Sequence, residues 1–133
     1  MTTLFADSFF YFALLNSKDR AHEQAEAFLE NFDGKLVTTS WVLTELADGL
    51  ADPLDRQTFV GLYETLSTDR DVTIVPPDAS LFADGLTLFA SRSDKDWSLT
   101  DCISFVVMQR FKLTEALTGD QHFLQAGFKA LLR

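Results

Sequence analysis

Four acidic residues stand where apolar ones would cost less. Asp7 ends the apolar run Leu4–Phe5–Ala6, and Asp120 follows Ala116–Leu117–Thr118 across Gly119. Glu45 is enclosed by Trp41–Val42–Leu43 and Leu46–Ala47, and Asp101 shares a helical face with Phe105 and Met108. A carboxylate on an apolar face costs several kcal/mol unless something compensates it. No lysine or arginine lies three or four residues from Glu45 or Asp101, so the compensation is not local. A divalent cation would supply it. Oxygen-rich acidic sites suit Mg²⁺ or Mn²⁺, whereas zinc prefers nitrogen and sulfur. Such ions neutralise phosphate oxygens, activate water and stabilise a leaving oxyanion, which is the chemistry of phosphodiester hydrolysis. Each acid also has a plainer explanation. Asp7 and Asp120 fit helix N-caps, Ser98–Leu99–Thr100–Asp101 fits a capping box, and Glu45 fits a solvated helix residue.

The elements that must position these residues alternate between short β-like runs and helical stretches, the pattern of an α/β fold with a mainly parallel sheet. Strands are expected at Leu4–Ala6, Leu36–Thr39, Val72–Val75 and Ala116–Thr118. Helices are expected from Ser8 to Leu15 and from Arg20 to Phe32, the second with Ala25, Phe28, Leu29 and Phe32 inward. Ser40 is read as the cap of a helix from Trp41 to about Leu50, and Asp52–Pro53 as the start of one reaching Leu66. Asp78 to Ala90 and Leu99 to Phe111 follow, then a helical turn from Gln121 to Gln125 and a last apolar segment from Phe128 to Leu132. Parallel sheets bind ligands beyond the carboxyl ends of their strands. Asp7 and Asp120 stand just past two strands, and Glu45 and Asp101 lie early in helices that leave that edge. The four acids can therefore meet at one place although they are far apart in sequence.

Composition narrows the field. The chain has 133 residues, 11 basic and 20 acidic side chains, a net charge of −9 and a sequence pI near 4.5. A hydrophobic content of 47% is too high for a disordered chain. No apolar run approaches the roughly 20 residues of a membrane span. The opening MTTLFAD has no basic n-region, and a single cysteine, Cys102, excludes a disulfide framework or a cysteine-cluster zinc site. The expectation is one domain without a signal peptide, located in the cytoplasm. The acidic balance also argues against nucleic-acid binding through a broad basic face. Any such contact must be local or bridged by cations.

Phe5–Ala6–Asp7–Ser8, Thr44–Glu45–Leu46, Ser98–Leu99–Thr100–Asp101–Cys102–Ile103 and Leu117–Thr118–Gly119–Asp120–Gln121–His122–Phe123 together resemble the successive motifs of PIN-domain ribonucleases. The nearest subgroup is the VapC-like toxins of type II toxin–antitoxin pairs. Order, spacing and total length all agree, and the likeness spans nearly the whole chain. It implies a PIN-like domain over residues 1–133, a three-layer α/β/α fold with a mainly parallel sheet and an acidic site at the carboxyl edge of the strands. It further implies a metal-dependent endoribonuclease using Mg²⁺ or Mn²⁺, in which Asp7, Glu45, Asp101 and Asp120 match the family's catalytic and metal-binding quartet. Ser8 and Thr118 match its supporting hydroxyls. RNA is the implied substrate, with a cognate antitoxin and a second copy of the chain as implied partners.

Among the remaining residues, Arg92 and Lys95 are assigned to RNA phosphates because their loop leads straight into Asp101, while Arg20 is read as an ordinary solvated charge. Asp94 and Asp96 are read as surface acids, and Asp48 as a helper ligand at most. His22 is read as exposed, His122 matches no position where the family needs a histidine, and Cys102 is read as a small core residue. Consecutive helical residues step by roughly 100°, so Phe9–Phe10–Tyr11–Phe12 cannot all face one core. Either that helix is buried on every side or part of it lies in an interface. Two other functions compete. An inactive PIN-like module binding RNA or protein is disfavoured by retention of all four acids. A receiver-like signalling domain would need an acid pair after the first strand and a phosphoacceptor Asp ending a middle strand. Here Asp7 is followed by Ser8, and Val72–Val75 runs into Pro76–Pro77.

Overall fold

A computed structural model describes residues 2–133 of the chain. Five parallel strands, β1 (Thr3–Ala6), β2 (Lys35–Thr39), β3 (Val72–Val75), β4 (Glu115–Leu117) and β5 (Lys129–Ala130), form one sheet in the order β3-β2-β1-β4-β5. The helices are α1 (Ser8–Leu15), α2 (His22–Asn31), α3 (Ser40–Gly49), α4 (Arg56–Thr68), α5 (Ala79–Ser91), α6 (Leu99–Arg110) and α7 (Gln121–Gln125), completing a three-layer α/β architecture. The chain winds outward from β1 to β3 and then returns to the other side of β1. That reversal lies between β1 and β4, where Phe5 and Ala6 pair with Ala116 and Leu117. A crevice at such a reversal is where open α/β sheets hold ligands.

β1 runs through the middle of the core, and Leu4, Phe5 and Ala6 are buried as a continuous apolar strand covered on both faces must be. α6 is buried on most sides, from Cys102 to Met108. α5 packs along it so closely that a Cβ on Gly85 would lie 2.4 Å from Ile103 Cγ1 and 3.2 Å from its Cα. The ring of Phe105 meets Trp97 and Phe123 edge-on, each with centroids 5.0 Å apart. Trp97 Nε1 also donates to Gln125 Oε1 at 3.0 Å. These contacts clamp the start of α6 beside α7.

Several boundaries differ from the sequence expectation for local reasons. Thr39, not Ser40, caps α3, accepting from the Val42 amide at 3.0 Å. α4 begins at Arg56 because Asp52 closes a turn, its side chain accepting from Leu54 N at 2.9 Å and its carbonyl from Asp55 N at 2.8 Å. α2 begins at His22 after a turn in which Asp19 Oδ1 accepts from Ala21 N at 2.9 Å. Leu29 is 44% exposed instead of inward, and Ala25 is the buried residue of that helix. The last apolar segment contains β5, whose two residues show no alternation to read. The Phe9–Phe12 run packs within the chain. Phe10 and Tyr11 are buried, Phe9 lies against Gly119, and Phe12 lies against Gly49. Two of the four aromatics are thus core residues, while Phe9 and Phe12 pack against the chain and stay partly exposed.

Candidate active site

Asp7 leaves β1 into the reversal crevice and is 4% exposed. It occupies the N-cap position of α1, yet its side chain makes no cap bond. Instead, Thr118 Oγ1, at the end of β4, donates to Asp7 Oδ2 at 2.8 Å. The same hydroxyl accepts from the Asp120 amide at 3.1 Å, so one side chain ties the first acid to the last. Burial pushes the Asp7 carboxyl up to about 7, against the Thr118 and Ser8 hydrogen bonds that favour its charged form; the nearby Asp101 and Glu45 charges push it the same way as burial. Asp7 thus feels the charge of both residues, without sharing a bond with either.

Glu45 rises from α3 half-buried, and Ser8 Oγ donates to its Oε1. Asp101 sits at the third position of α6, where the expected capping box forms. Ser98 Oγ accepts from Asp101 N at 3.0 Å, and Asp101 Oδ2 accepts from Ser98 N at 3.2 Å. The cap and the site are not alternatives here: the same Asp101 Oδ2 also lies 3.0 Å from His122 Nδ1. Burial raises the Asp101 pKa, opposed by His122 and the Ser98 amide. Asp120 caps α7 through His122 N at 2.9 Å, and its Oδ1 lies 3.4 Å from His122 Nδ1. Donor atoms of Asp101, Asp120 and His122 all fall within 4.8 Å of one another.

His122 was the residue missed. Its two-residue spacing from Asp120 places both on the first turn of α7, and that spacing was the available signal. The loop cations differ in how free they are. Arg92 is held by Asp94 at 2.9 and 3.0 Å, and its guanidinium lies 4.9 Å over the Trp97 ring. Lys95 has no ion pair among the described residues, whereas Arg20 lines a groove beside Gly119. Asp48 is exposed on α3 and belongs to no metal-capable group among the described residues. His22 is not free in solvent: its Nδ1 lies 2.8 Å from Ala13 O and its Nε2 3.1 Å from Glu26. Cys102 is buried, as a core residue should be.

The donor set fits a divalent cation. Among the described residues no lysine or arginine bonds Asp7, Glu45, Asp101 or Asp120, and His122 is the only basic side chain against them. The carboxylate oxygens suit Mg²⁺ or Mn²⁺, with the His122 imidazole turned to two of the acids.

Fold and site together define an α/β domain with an acidic cluster at the topological reversal of a parallel sheet. The chain belongs to the PIN-domain family, whose model matches residues 4–129. The fold is similar to that of VapC20 from Mycobacterium tuberculosis, described as a toxin cleaving the sarcin–ricin loop, with 24% identity over 96% of each chain and a TM-score of 0.86. It is also similar to FitAcB from Neisseria gonorrhoeae (19% identity, 96% and 94% of the chains, TM-score 0.65). A FitAB structure bound to an IR36 DNA fragment aligns at 16% identity over 96% and 93%, with a TM-score of 0.67. No curated protein matches the chain by sequence. Among the described residues, no helix is long and apolar enough to cross a membrane.

Proposed function

We propose that this chain is a divalent-metal-dependent endoribonuclease that hydrolyses RNA phosphodiester bonds, acting as the toxin of a toxin–antitoxin pair in the cytoplasm. The observation that carries the reading is Asp7: a buried carboxylate at the sheet reversal, raised to about 7 and flanked by two further acids. Such a burden on the fold is retained where a ligand relieves it. Asp7, Glu45, Asp101 and Asp120 would hold Mg²⁺ or Mn²⁺, which supplies charge neutralisation and an activated water at a scissile phosphate. Thr118 fixes the rotamer of Asp7, and Ser8 orients Glu45. His122 holds Asp101 and Asp120 together, as groups behind metal ligands commonly do. The whole of residues 1–133 acts as one domain in this reading, and an antitoxin is the expected partner by similarity to the VapC20 toxin.

The test is cleavage of RNA by the purified chain with Mg²⁺ or Mn²⁺ against an EDTA control. Asp101→Asn should lower metal-dependent cleavage by about 10²–10³-fold or more with the fold intact. Wild-type cleavage by that variant would remove Asp101 from the site. Absence of cleavage by a folded wild type would favour an inactive PIN-like binding module.

A further inference from the structure

A chain of net charge −9 repels a polyanion except where its cations gather. Arg92, Arg110 and Lys129 are engaged by Asp94, Asp84 and Glu115. The other eight lysines and arginines have no carboxylate partner among the described residues, and three of them, Lys18, Arg20 and Arg133, line one open groove of about 850 Å³. The one acid lining that groove, Asp19, is turned to its own loop, accepting from Ala21 N at 2.9 Å. Arg133 Nη1 donates to Gly119 O at 3.1 Å, and Gly119 is bonded directly to Asp120. Half-buried Phe9, next to Ser8, forms part of the wall at that end. The groove therefore runs from a cationic loop between α1 and α2 to the rim of the acidic site.

We propose that this groove is the track for single-stranded RNA entering the site, with Lys18 and Arg20 on backbone phosphates and Phe9 as an apolar wall for a base. The proposal rests on the nuclease reading above and names where its substrate lies. Cations along a groove with an aromatic in its wall are the arrangement that holds single strands without sequence preference. An acidic peptide shares the charge requirement. It has no use for continuity with a phosphodiester-cleaving site, and that continuity favours RNA.

The experiment is fluorescence anisotropy with a 5′-labelled oligouridine of about 12 nucleotides, in EDTA so that no cleavage occurs. Lys18→Ala/Arg20→Ala should bind about tenfold or more weakly at low salt, with a log–log salt slope shallower by roughly 1.4, about 0.7 per lost phosphate contact. The charge-preserving Lys18→Arg/Arg20→Lys should retain affinity, as should Lys35→Ala/Lys112→Ala at positions away from the groove. Thermal unfolding checks that each variant is folded. Wild-type affinity and slope in the double-alanine variant would overturn the proposal. So would a wild type that fails to bind oligouridine, or one that binds polyglutamate more tightly. The nuclease reading fails separately: groove-dependent binding without any metal-dependent RNA cleavage would leave the track standing and remove the chemistry.

Discussion

Asp7 is held protonated more readily in the folded chain than in the unfolded one. Its carboxyl titrates near 7 when folded against an ordinary value of 3.8. A raised folded pKa means that the folded state binds the extra proton, so without metal stability should fall as pH rises from about 4 to about 7, then level off. The gap corresponds to roughly 4 kcal/mol for this buried group. Asp101 adds a slope of the same sign. Asp7→Asn should flatten the curve and melt higher than wild type at pH 7.5 in EDTA, as differential scanning fluorimetry would record. If Asp7 were only a helix cap, that substitution would be near neutral. His122 should matter less than the acids it orients: His122→Ala is expected to cost about 10–100-fold in cleavage. The acids were legible because a carboxylate amid apolar neighbours needs an explanation. His122 was not, because a histidine beside an acid reads equally as a solvated turn residue. The pairing of Arg92 was not legible either, because proximity in sequence to Asp101 says nothing of a bidentate Asp94 two residues away.

Among the elements, α1 and α6 decide whether the site holds its shape. Gly85 lets α5 approach α6 until a methyl would press on the Ile103 backbone. Gly85→Ala should therefore destabilise by about 1–3 kcal/mol through overpacking, despite the better helix propensity of alanine. Urea unfolding measures it, and a stabilised variant would show that the two helices can part. Phe9→Ser should likewise lower the melting temperature, because the Phe9 ring covers Gly119; a change in oligomeric state with unaltered stability would point to an interface role instead. Strand positions were readable from apolar runs that end in acids or prolines. Caps shifted by one residue, Thr39 for Ser40, because either hydroxyl can accept the same class of bond. β5 was invisible, since a two-residue strand is defined by its partner and not by its own pattern.

For the molecule as a whole, the proposed four-acid site predicts a metal response that no single cap could give. Millimolar Mn²⁺ should raise the melting temperature at pH 7.5, by a stabilisation near 2.7 kcal/mol when the ion is at a hundred times its dissociation constant. Asp7→Asn should blunt that rise, and an unchanged shift in the variant would mean that the ion binds elsewhere. The bond from Thr118 to Asp7 spans 111 residues. Contacts so distant in sequence form late, because the intervening loop must close first. A nascent chain still lacking β4 would have β1, β2 and β3 but nothing to shut Asp7 away from water. The first acid of the chain thus stays unfixed until a strand made more than a hundred residues later has docked beside it.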